Sequence, residues 1–324
     1  MFFWLSLFAC LFAMTLSPIA SWLGWRIGAL DVPRDWRRMH RSVLPRCGGV
    51  AILGAFFLSC LAAFQGISHL KSAFLGGGLF FLLGLWDDIF GMNAFVKLAF
   101  QVGILLLVLP AERGILESRV VLSAFWILLL VNAHNFVDGL DGLLSGTAAI
   151  EGGGLSVCFL ILGEPALALP PLLLAAACLG FRHFNRYPAR IFAGDCGSQS
   201  VGFLLGVLSL PLLFRASEGI GVLSPLFLFA YPLTDLFTAV LRRLLRGKSP
   251  FAADRAHLHH RICDAGVLPS QGADILHLIT ASMVGIGILL SNGVWLFFAG
   301  VACLLAALLL IWLRSEIVNF AVGY

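Results

Sequence analysis

Charged residues are scarce in this sequence. Asp, Glu, Lys and Arg make up 12% of its 324 residues, whereas hydrophobic residues make up 60%. Soluble globular proteins carry about 25% charged residues, so this composition excludes an ordinary soluble protein and predicts an integral membrane protein. The mean hydropathy of +0.98 agrees with that class. The net charge of +4 is too small to indicate a nucleic-acid partner.

Other common features are also missing. The eight cysteines show no CxxC spacing and lie mostly in apolar runs, which argues against a disulfide framework or a zinc site. The N-terminal segment 1–25 has no positive n-region, so it indicates a retained first span rather than a cleaved signal peptide. No soluble domain, internal repeat or low-complexity linker is visible. We therefore expect a single membrane domain over residues 1–324.

Apolar windows that could cross a bilayer recur along the chain. A membrane helix needs about 20 predominantly apolar residues. Eleven windows qualify: 2–25, 48–66, 70–86, 94–110, 119–136, 143–162, 166–182, 198–215, 220–241, 272–291 and 293–313. The sequence therefore predicts an all-α, polytopic membrane protein with about eleven transmembrane helices.

The distribution of charge predicts the orientation. With the N-terminus outside, 17 of the 21 Lys and Arg residues lie in segments that face the cytoplasm. This satisfies the positive-inside rule and places the C-terminus in the cytoplasm. All eleven Asp residues lie in or beside the same segments, whereas five of the six Glu residues do not. Short carboxylates gathered on one membrane face indicate a metal and phosphate site there.

The stretch from Asn132 to Gly146 is the centre of this pattern. An uncharged apolar run leads into four polar residues: Asn132, Asn135, Asp138 and Asp141. Charged groups at a membrane helix end are tolerated where they meet water or an ion, and the glycines between them let the backbone approach a ligand. We interpret the stretch as the edge of a binding site. The alternative is a solvated helix end that the two Asp residues merely cap.

Three more acidic residues lie at helix junctions. Asp87 and Asp88 end the third span, and adjacent carboxylates repel each other unless a cation or a shared proton intervenes. Mg²⁺ accepts such ligands together with substrate phosphates. Asp195 lies beside Gly197 and Ser198, which could start the following helix with amides free for an anion. The alternatives are a solvated helix end for the Asp pair and a simple N-cap for Asp195.

Two polar loops supply cations. The later loop ends in a cluster formed by His257, His259, His260 and Arg261. These side chains could bind phosphate or transfer protons, although a zinc site or a basic patch for anionic lipid would also fit. The first inner loop has five Arg within residues 34–46, which topogenic charge alone could explain. Glu151, an acid inside the sixth span, is left outside the predicted site.

Together these residues resemble the polyprenyl-phosphate N-acetylhexosamine-1-phosphate transferases. That family includes the phospho-MurNAc-pentapeptide translocases and the enzymes that start O-antigen, enterobacterial common antigen and teichoic acid synthesis. The similarity runs in order from about Asp31 to Arg261 through D-x-P…H…P-x-G-G, G-L-x-D-D…K…Q, N-x-x-N-F-x-D-G-L-D-G-L, N-x-x-P-A-x-I-F-x-G-D-x-G-S, P-x-x-D…R and H-x-H-H. Each motif alone is weak, but their order on one predicted membrane face is specific.

The resemblance implies a role for each matching residue. The catalytic group would be Asp87, Asp88, His257, His259 and His260. The substrate-binding group would be Arg46, Asn132, Asn135, Asp138, Asp141, Asn185, Phe192 and Arg261, with Phe192 placed to stack on uracil. Asp195 and Asp88 would bind Mg²⁺, with Mn²⁺ as an alternative ion. All these acids would then converge on one pocket beneath the inner leaflet.

The implied reaction transfers GlcNAc-1-phosphate from UDP-GlcNAc to undecaprenyl phosphate, releases UMP and starts cell-surface polysaccharide synthesis. The implied location is the cytoplasmic face of the bacterial inner membrane. The partners would be the UDP-sugar, the polyprenyl phosphate and membrane lipids, without nucleic acid, and a homodimer is left open. Two departures matter: Gly91 stands where some relatives carry a third acid or Lys, and the last motif is H-x-H-H rather than three consecutive histidines.

Two alternatives remain open from the sequence. The broken histidine motif favours UDP-GlcNAc, but UDP-MurNAc-pentapeptide or another UDP-N-acetylhexosamine could be the donor. An ion-coupled secondary transporter is the alternative from a different class. A transporter would place its acids near mid-span in two similar halves, and neither feature is visible here.

Overall fold

The computed structural model describes residues 2–33, 42–63, 70–109, 118–215, 223–251 and 256–291. The helices in these ranges are α1 (Phe2–Ile27), α2 (Gly48–Ala63), α3 (Lys71–Phe90), α4 (Ala94–Val108), α5 (Ser118–Val137), α6 (Leu143–Ile161), α7 (Pro165–Asn185), α8 (Gly194–Arg215), α9 (Leu223–Leu228), α10 (Ala230–Leu245), α11 (Leu258–Asp264) and α12 (Pro269–Ser291). A short antiparallel pair, β1 (Leu30–Asp31) and β2 (Leu44–Pro45), was not predicted.

The all-α membrane architecture is confirmed. By length and apolar composition, seven helices in the described ranges can cross a membrane: α1, α3, α5, α6, α7, α8 and α12. The helices α2 and α4 are also apolar but shorter. The chain is therefore a polytopic membrane protein.

Nine of the predicted windows each coincide with one helix, but the window 220–241 does not. Its described part is divided into α9 and α10, with Phe229 between them at φ −110° and ψ 21°. Pro232 explains the break, because proline has no N–H to donate to the Leu228 carbonyl and its ring clashes with that carbonyl. The window 293–313 lies outside the described residues.

The helix α8 lies at the centre of the bundle, where α2, α3 and α5 pack against it. Gly84 on α3 faces the start of α8, and a Cβ there would overlap the backbone of Asp195. Gly202 on α8 allows the same close approach to Leu130 and Val131 on α5. Small residues permit such contacts between membrane helices, where close packing provides much of the stabilisation. These approaches bring the ends of α3 and α5 to the start of α8.

The functional residues gather at one end of the bundle. The helices α3, α5 and α7 end there, and α4, α6 and α8 begin there, as contacts between residues at their ends show. The strand β2 reaches the same end, since Phe192 N–H donates to the Pro45 carbonyl at 2.9 Å. The sequence predicted this clustering of helix ends.

Candidate active site

Two cations lie among the acidic side chains. Lys97, at the start of α4, contacts Asp87 Oδ2 and lies 3.3 Å from Asp195 Oδ2. Arg46 Nε lies 3.3 Å from Asp88 Oδ1, and its Nη2 lies 3.9 Å from Asp195 Oδ2. Asp195 therefore lies between an ammonium and a guanidinium group. Each cation also joins Asp195 to one carboxylate of α3.

Asp88 holds the first turn of α8. Its Oδ1 accepts the N–H of Asp195 and its Oδ2 accepts the N–H of Cys196, both at 2.9 Å. The first amides of a helix have no partner within the helix, and a carboxylate there also interacts favourably with the helix dipole. The Asp88 side chain is fully buried in this position. It therefore caps α8 from a neighbouring helix.

The end of α5 holds the same turn from the other side. Asn135 Nδ2 donates to Asp195 Oδ1 and, at 2.9 Å, to Ser198 Oγ. Asp138 Oδ2 accepts the N–H of Gly194 at 3.2 Å. The predicted convergence of Asp87, Asp138 and Asp195 is thus confirmed.

These contacts correct one expectation from the sequence. Gly197 and Ser198 were expected to start the helix with amides free for an anion, but α8 begins earlier, at Gly194. The amides of its first residues, Gly194, Asp195 and Cys196, donate to protein carboxylates. Arg46 and Lys97, both in the described part of the chain, lie beside this helix start and can offer charge to an anion. Arginine can bind phosphate through two parallel hydrogen bonds, and lysine binds it as a point charge.

Protonation at the site follows from burial and neighbouring charge. Burial raises the pKa of Asp138 to about 7, and the charges of Asp195 and Asp88 add to the rise although Arg46 opposes it. Burial disfavours the charge of Arg46, but Asp88 and Asp195 outweigh that effect and raise its pKa further. Arg46 is therefore always charged, whereas Asp138 titrates near neutral pH.

Asp141 and Asn185 fix the loop between α7 and α8. Asp141 Oδ2 accepts the N–H of Ala189 at 2.8 Å. Asn185 accepts from Ser145 Oγ at 2.8 Å and donates to the Ile191 carbonyl at 3.0 Å. Asn185 is 1% exposed, so its side-chain amide is engaged in these hydrogen bonds and stabilises the loop.

Phe192 lies half-buried at the end of that loop. Its carbonyl accepts the N–H of Gly48 at 2.9 Å, which joins the loop to the start of α2. Its ring is the predicted partner for uracil, and that role stays a prediction. Asn132 lies one turn before Asn135 on α5 and donates to Gln101 Oε1 at 3.0 Å.

The histidine segment lies against the turn after α5. Asp235 accepts from His257 Nδ1 and from the N–H of Leu258, both at 2.9 Å. The His257 ring meets the Phe136 ring edge-on at 4.8 Å. His259 packs against Gly139, where a Cβ would overlap its ring. These contacts place α11 beside the turn that carries Asp138.

All three histidines are buried, and His259 is the most deeply buried of them. His259 is 2% exposed, whereas His257 and His260 are each 8% exposed. Burial, with a smaller contribution from His260, lowers the pKa of His259 to about 3. His259 is therefore neutral at physiological pH. Arg261 lies half-buried on the same helix.

Four residues of the site were given no role by the sequence analysis, although three of them stand in the family motifs: Lys97, Gln101 and Asp235 are in the motifs, and Gln199 is not. Lys97 joins two of the predicted acids, and Asp235 orients His257. Gln101 donates to Gln199 at 3.0 Å behind the cluster. A signal was available for Lys97, because an ionisable residue near the start of an apolar helix is a functional candidate by default.

Comparison with known proteins gives the family. The model of glycosyl transferase family 4 matches residues 70–212. A decaprenyl-phosphate N-acetylglucosaminephosphotransferase of Mycobacterium tuberculosis is 33% identical over 290 residues, which cover 75% of this chain and 71% of the relative. The chain belongs to glycosyl transferase family 4.

Other relatives have similar names. A probable undecaprenyl-phosphate N-acetylglucosaminyl 1-phosphate transferase of Bacillus subtilis is 29% identical over 82% of this chain and 78% of its own length. An undecaprenyl-phosphate alpha-N-acetylglucosaminyl 1-phosphate transferase of Yersinia pestis is 29% identical over 86% of this chain and 81% of its own length. All three names describe N-acetylglucosamine phosphate transfer to a polyprenyl phosphate.

Proposed function

We propose that this protein transfers GlcNAc-1-phosphate from UDP-GlcNAc to undecaprenyl phosphate and releases UMP. The observation that carries the proposal is the cluster in which Arg46 and Lys97 each contact Asp195 and one carboxylate of α3. Phosphoryl transfer depends mainly on positioning and charge neutralisation, and this cluster offers both. The names of the relatives support the same reaction.

The reaction we propose is a direct displacement. An oxygen of the lipid phosphate attacks the sugar-linked phosphorus of the donor, a new P–O bond forms, and the bond to the UMP oxygen breaks. Asp87 is the acid that we place nearest the attacking phosphate. Arg46 and Lys97 stabilise the phosphate charges, since fixed cations in a site shielded from water interact strongly with developing charge.

The acids also suit a magnesium ion. In the described part of the chain, no three His, Cys, Asp or Glu side chains form a ready ligand set. Mg²⁺, however, commonly uses one or two carboxylates together with water and substrate phosphates. Asp87 and Asp195 fit that requirement, because both already contact one cationic group, Lys97. Bound Mg²⁺ would neutralise charge on the diphosphate.

This assignment revises the metal role expected for Asp88. Both of its oxygens accept backbone amides of α8, and Oδ1 also faces Arg46. We therefore assign Asp195 and Asp87 as metal ligands. The role of Asp88 is to hold Asp195 in place.

We further propose eleven spans, with the N-terminus outside and the active site on the cytoplasmic face of the bacterial inner membrane. The one-sided distribution of Lys and Arg supports this orientation. It also gives the site access to a cytosolic nucleotide sugar and to a lipid phosphate in the inner leaflet. The secondary transporter has no comparable support, because the clustered acids lie at helix ends rather than at mid-span.

The test is turnover by the purified protein with undecaprenyl phosphate and Mg²⁺. We expect UMP release with UDP-GlcNAc, and little with UDP-MurNAc-pentapeptide, UDP-GalNAc or UDP-glucose. Preference for another N-acetylhexosamine would keep the reaction and change the donor. Absence of UMP with every donor, from protein that remains folded, would refute the proposal. Loss of turnover in EDTA that Mg²⁺ restores would support the metal assignment.

A further inference from the structure

A buried acid–base pair lies inside the bundle, outside the cluster described above. His134 on α5 and Glu151 on α6 are both fully buried, and His134 Nε2 lies 2.7 Å from Glu151 Oε2. The other ring nitrogen, Nδ1, lies 2.8 Å from the carbonyl of Leu130, one turn earlier on α5. The His134 ring also meets the Phe229 ring edge-on at 6.3 Å. Glu151 is thus tied to α5 rather than exposed to lipid.

The hydrogen bonds determine how many protons the pair holds. A carbonyl oxygen can only accept, so Nδ1 of His134 must carry a hydrogen and donate it to Leu130. One proton then lies between Nε2 and Oε2, on either the imidazole or the carboxyl group. The pair has no net charge in either case. Its burial is therefore tolerated while both partners are present, whereas removal of one partner would leave the other buried without its hydrogen bond.

The position of His134 in the sequence links this pair to the active site. Asn135 is the next residue, and it donates to Asp195 and Ser198 on α8. Neighbouring residues on a helix point about 100° apart, so one residue of this turn contacts α6 while the next contacts α8. Glu151 therefore fixes the rotation of the turn that carries Asn135.

A small rotation of that turn would disrupt the site. The end of an Asn side chain lies about 6 Å from the helix axis, so a rotation of about 20° moves its amide by about 2 Å. Such a displacement exceeds the tolerance of a hydrogen bond. Asp138, three residues later, would lose its contact with Gly194 in the same movement.

We propose that His134 and Glu151 are positioning residues, which hold the last turn of α5 in the rotation that lets Asn135 and Asp138 hold Asp195. The proposal rests on the proposed transferase function for its kinetic consequence. Its structural consequence, the order of the first turn of α8, does not depend on that function.

The test uses four variants of the full-length protein and one control. Glu151→Gln keeps a side chain that can donate to His134 Nε2, whereas Glu151→Leu and His134→Leu each remove one partner. The double variant His134→Leu/Glu151→Leu removes both, so neither partner stays buried without the other. Thr280→Val is the control, because it removes a buried hydroxyl whose bond to Leu276 lies on α12.

We expect both single leucine variants to lower kcat roughly 10- to 100-fold with a smaller change in KM, because misplacement by 1 Å can cost that much. Glu151→Gln should remain within about twofold of the wild type, since it keeps the hydrogen bond. The double variant should recover the melting temperature but not kcat. Recovery of both would show a purely structural role and overturn the proposal. Equal losses in Glu151→Gln and Glu151→Leu would overturn it too.

Hydrogen–deuterium exchange gives a readout that needs no substrate. In the leucine variants, peptides that cover residues 130–140 and 194–200 should exchange faster than in the wild type, with α12 and the Thr280→Val control unchanged. Unchanged exchange at 194–200 would overturn the positioning role whatever the activity. If wild-type protein transfers no sugar phosphate yet these peptides respond, the proposed function fails and the positioning role stands.

Discussion

The substitutions Asp87→Asn and Asp88→Asn should have different effects on stability, although the two acids are adjacent. Asp88→Asn replaces a buried acceptor of two amides with a group that has one acceptor oxygen and one NH2. The NH2 must then face a backbone N–H, and Arg46 loses its closest carboxylate. Asp87→Asn leaves Lys97 its contact with Asp195 at 3.3 Å.

The magnitudes follow from these contacts. Removing one partner from a buried ion pair costs about 3 kcal/mol or more. That loss should lower the melting temperature of Asp88→Asn by roughly 5–10 °C. Asp87→Asn should cost about 1 kcal/mol, since an amide oxygen can still accept from Lys97. Both variants should lose turnover by about 100-fold. Asp87→Asn should act directly on the reacting groups, whereas Asp88→Asn should act by displacing Asp195.

The assay pairs thermal unfolding in detergent with UMP release. Asp274→Asn serves as the matched control, because this side chain is 75% exposed and its distance to Arg182 is 3.9 Å. It should match the wild type in both measurements. A wild-type melting temperature for Asp88→Asn would refute its capping role. Equal destabilisation by the two variants would refute the division of roles between neighbouring carboxylates.

Two further predictions concern charge at the site. Lys97→Met should lower turnover by about 100-fold, because Asp87 and Asp195 lose their shared cation. Lys97→Arg keeps a positive charge and should retain part of the turnover. Equal losses of turnover in the two variants would contradict a charge role. The lowered pKa of His259, about 3, means that the unfolded chain binds a proton below about pH 6.5 that the folded chain refuses. As the pH is lowered from about 6.5 to 3, the free energy of unfolding should therefore decrease by up to about 1.4 kcal/mol per pH unit. Acid titration of His259→Leu should show a shallower decline, and an unchanged slope would contradict this account.

The sequence predicted which residues would lie close together but not which role each of them would have. Asp87, Asp138 and Asp195 each lie at the end of an apolar run, and alternating helix directions require such ends to share one face. The roles of Asp87 and Asp88 depend on something else. Adjacent residues on a helix point about 100° apart, so only the position of α8 decides which of them reaches its amides.

Backbone geometry was the harder part to predict. Pro232 lies inside an apolar run, so composition favoured one continuous helix where the chain forms α9 and α10. The pairing of Asp235 was also not predictable, because its partners His257 and Leu258 lie more than twenty residues away across a polar loop. Neither distance nor rotation about a helix axis is visible in a pattern of residue types.

The structure suggests why so many acids gather around one helix start. The amides of α8 at Gly194 to Cys196 are held by Asp88 from α3 and Asp138 from α5. Because these acids occupy the amides, Asp195 does not need to cap its own helix and can face Arg46 and Lys97 instead. An acid that capped its own helix would be fixed by backbone contacts alone. Asp195 is instead held by three neighbouring helices and by Arg46, which follows β2. A change in any of them therefore reaches the group that we assign to magnesium.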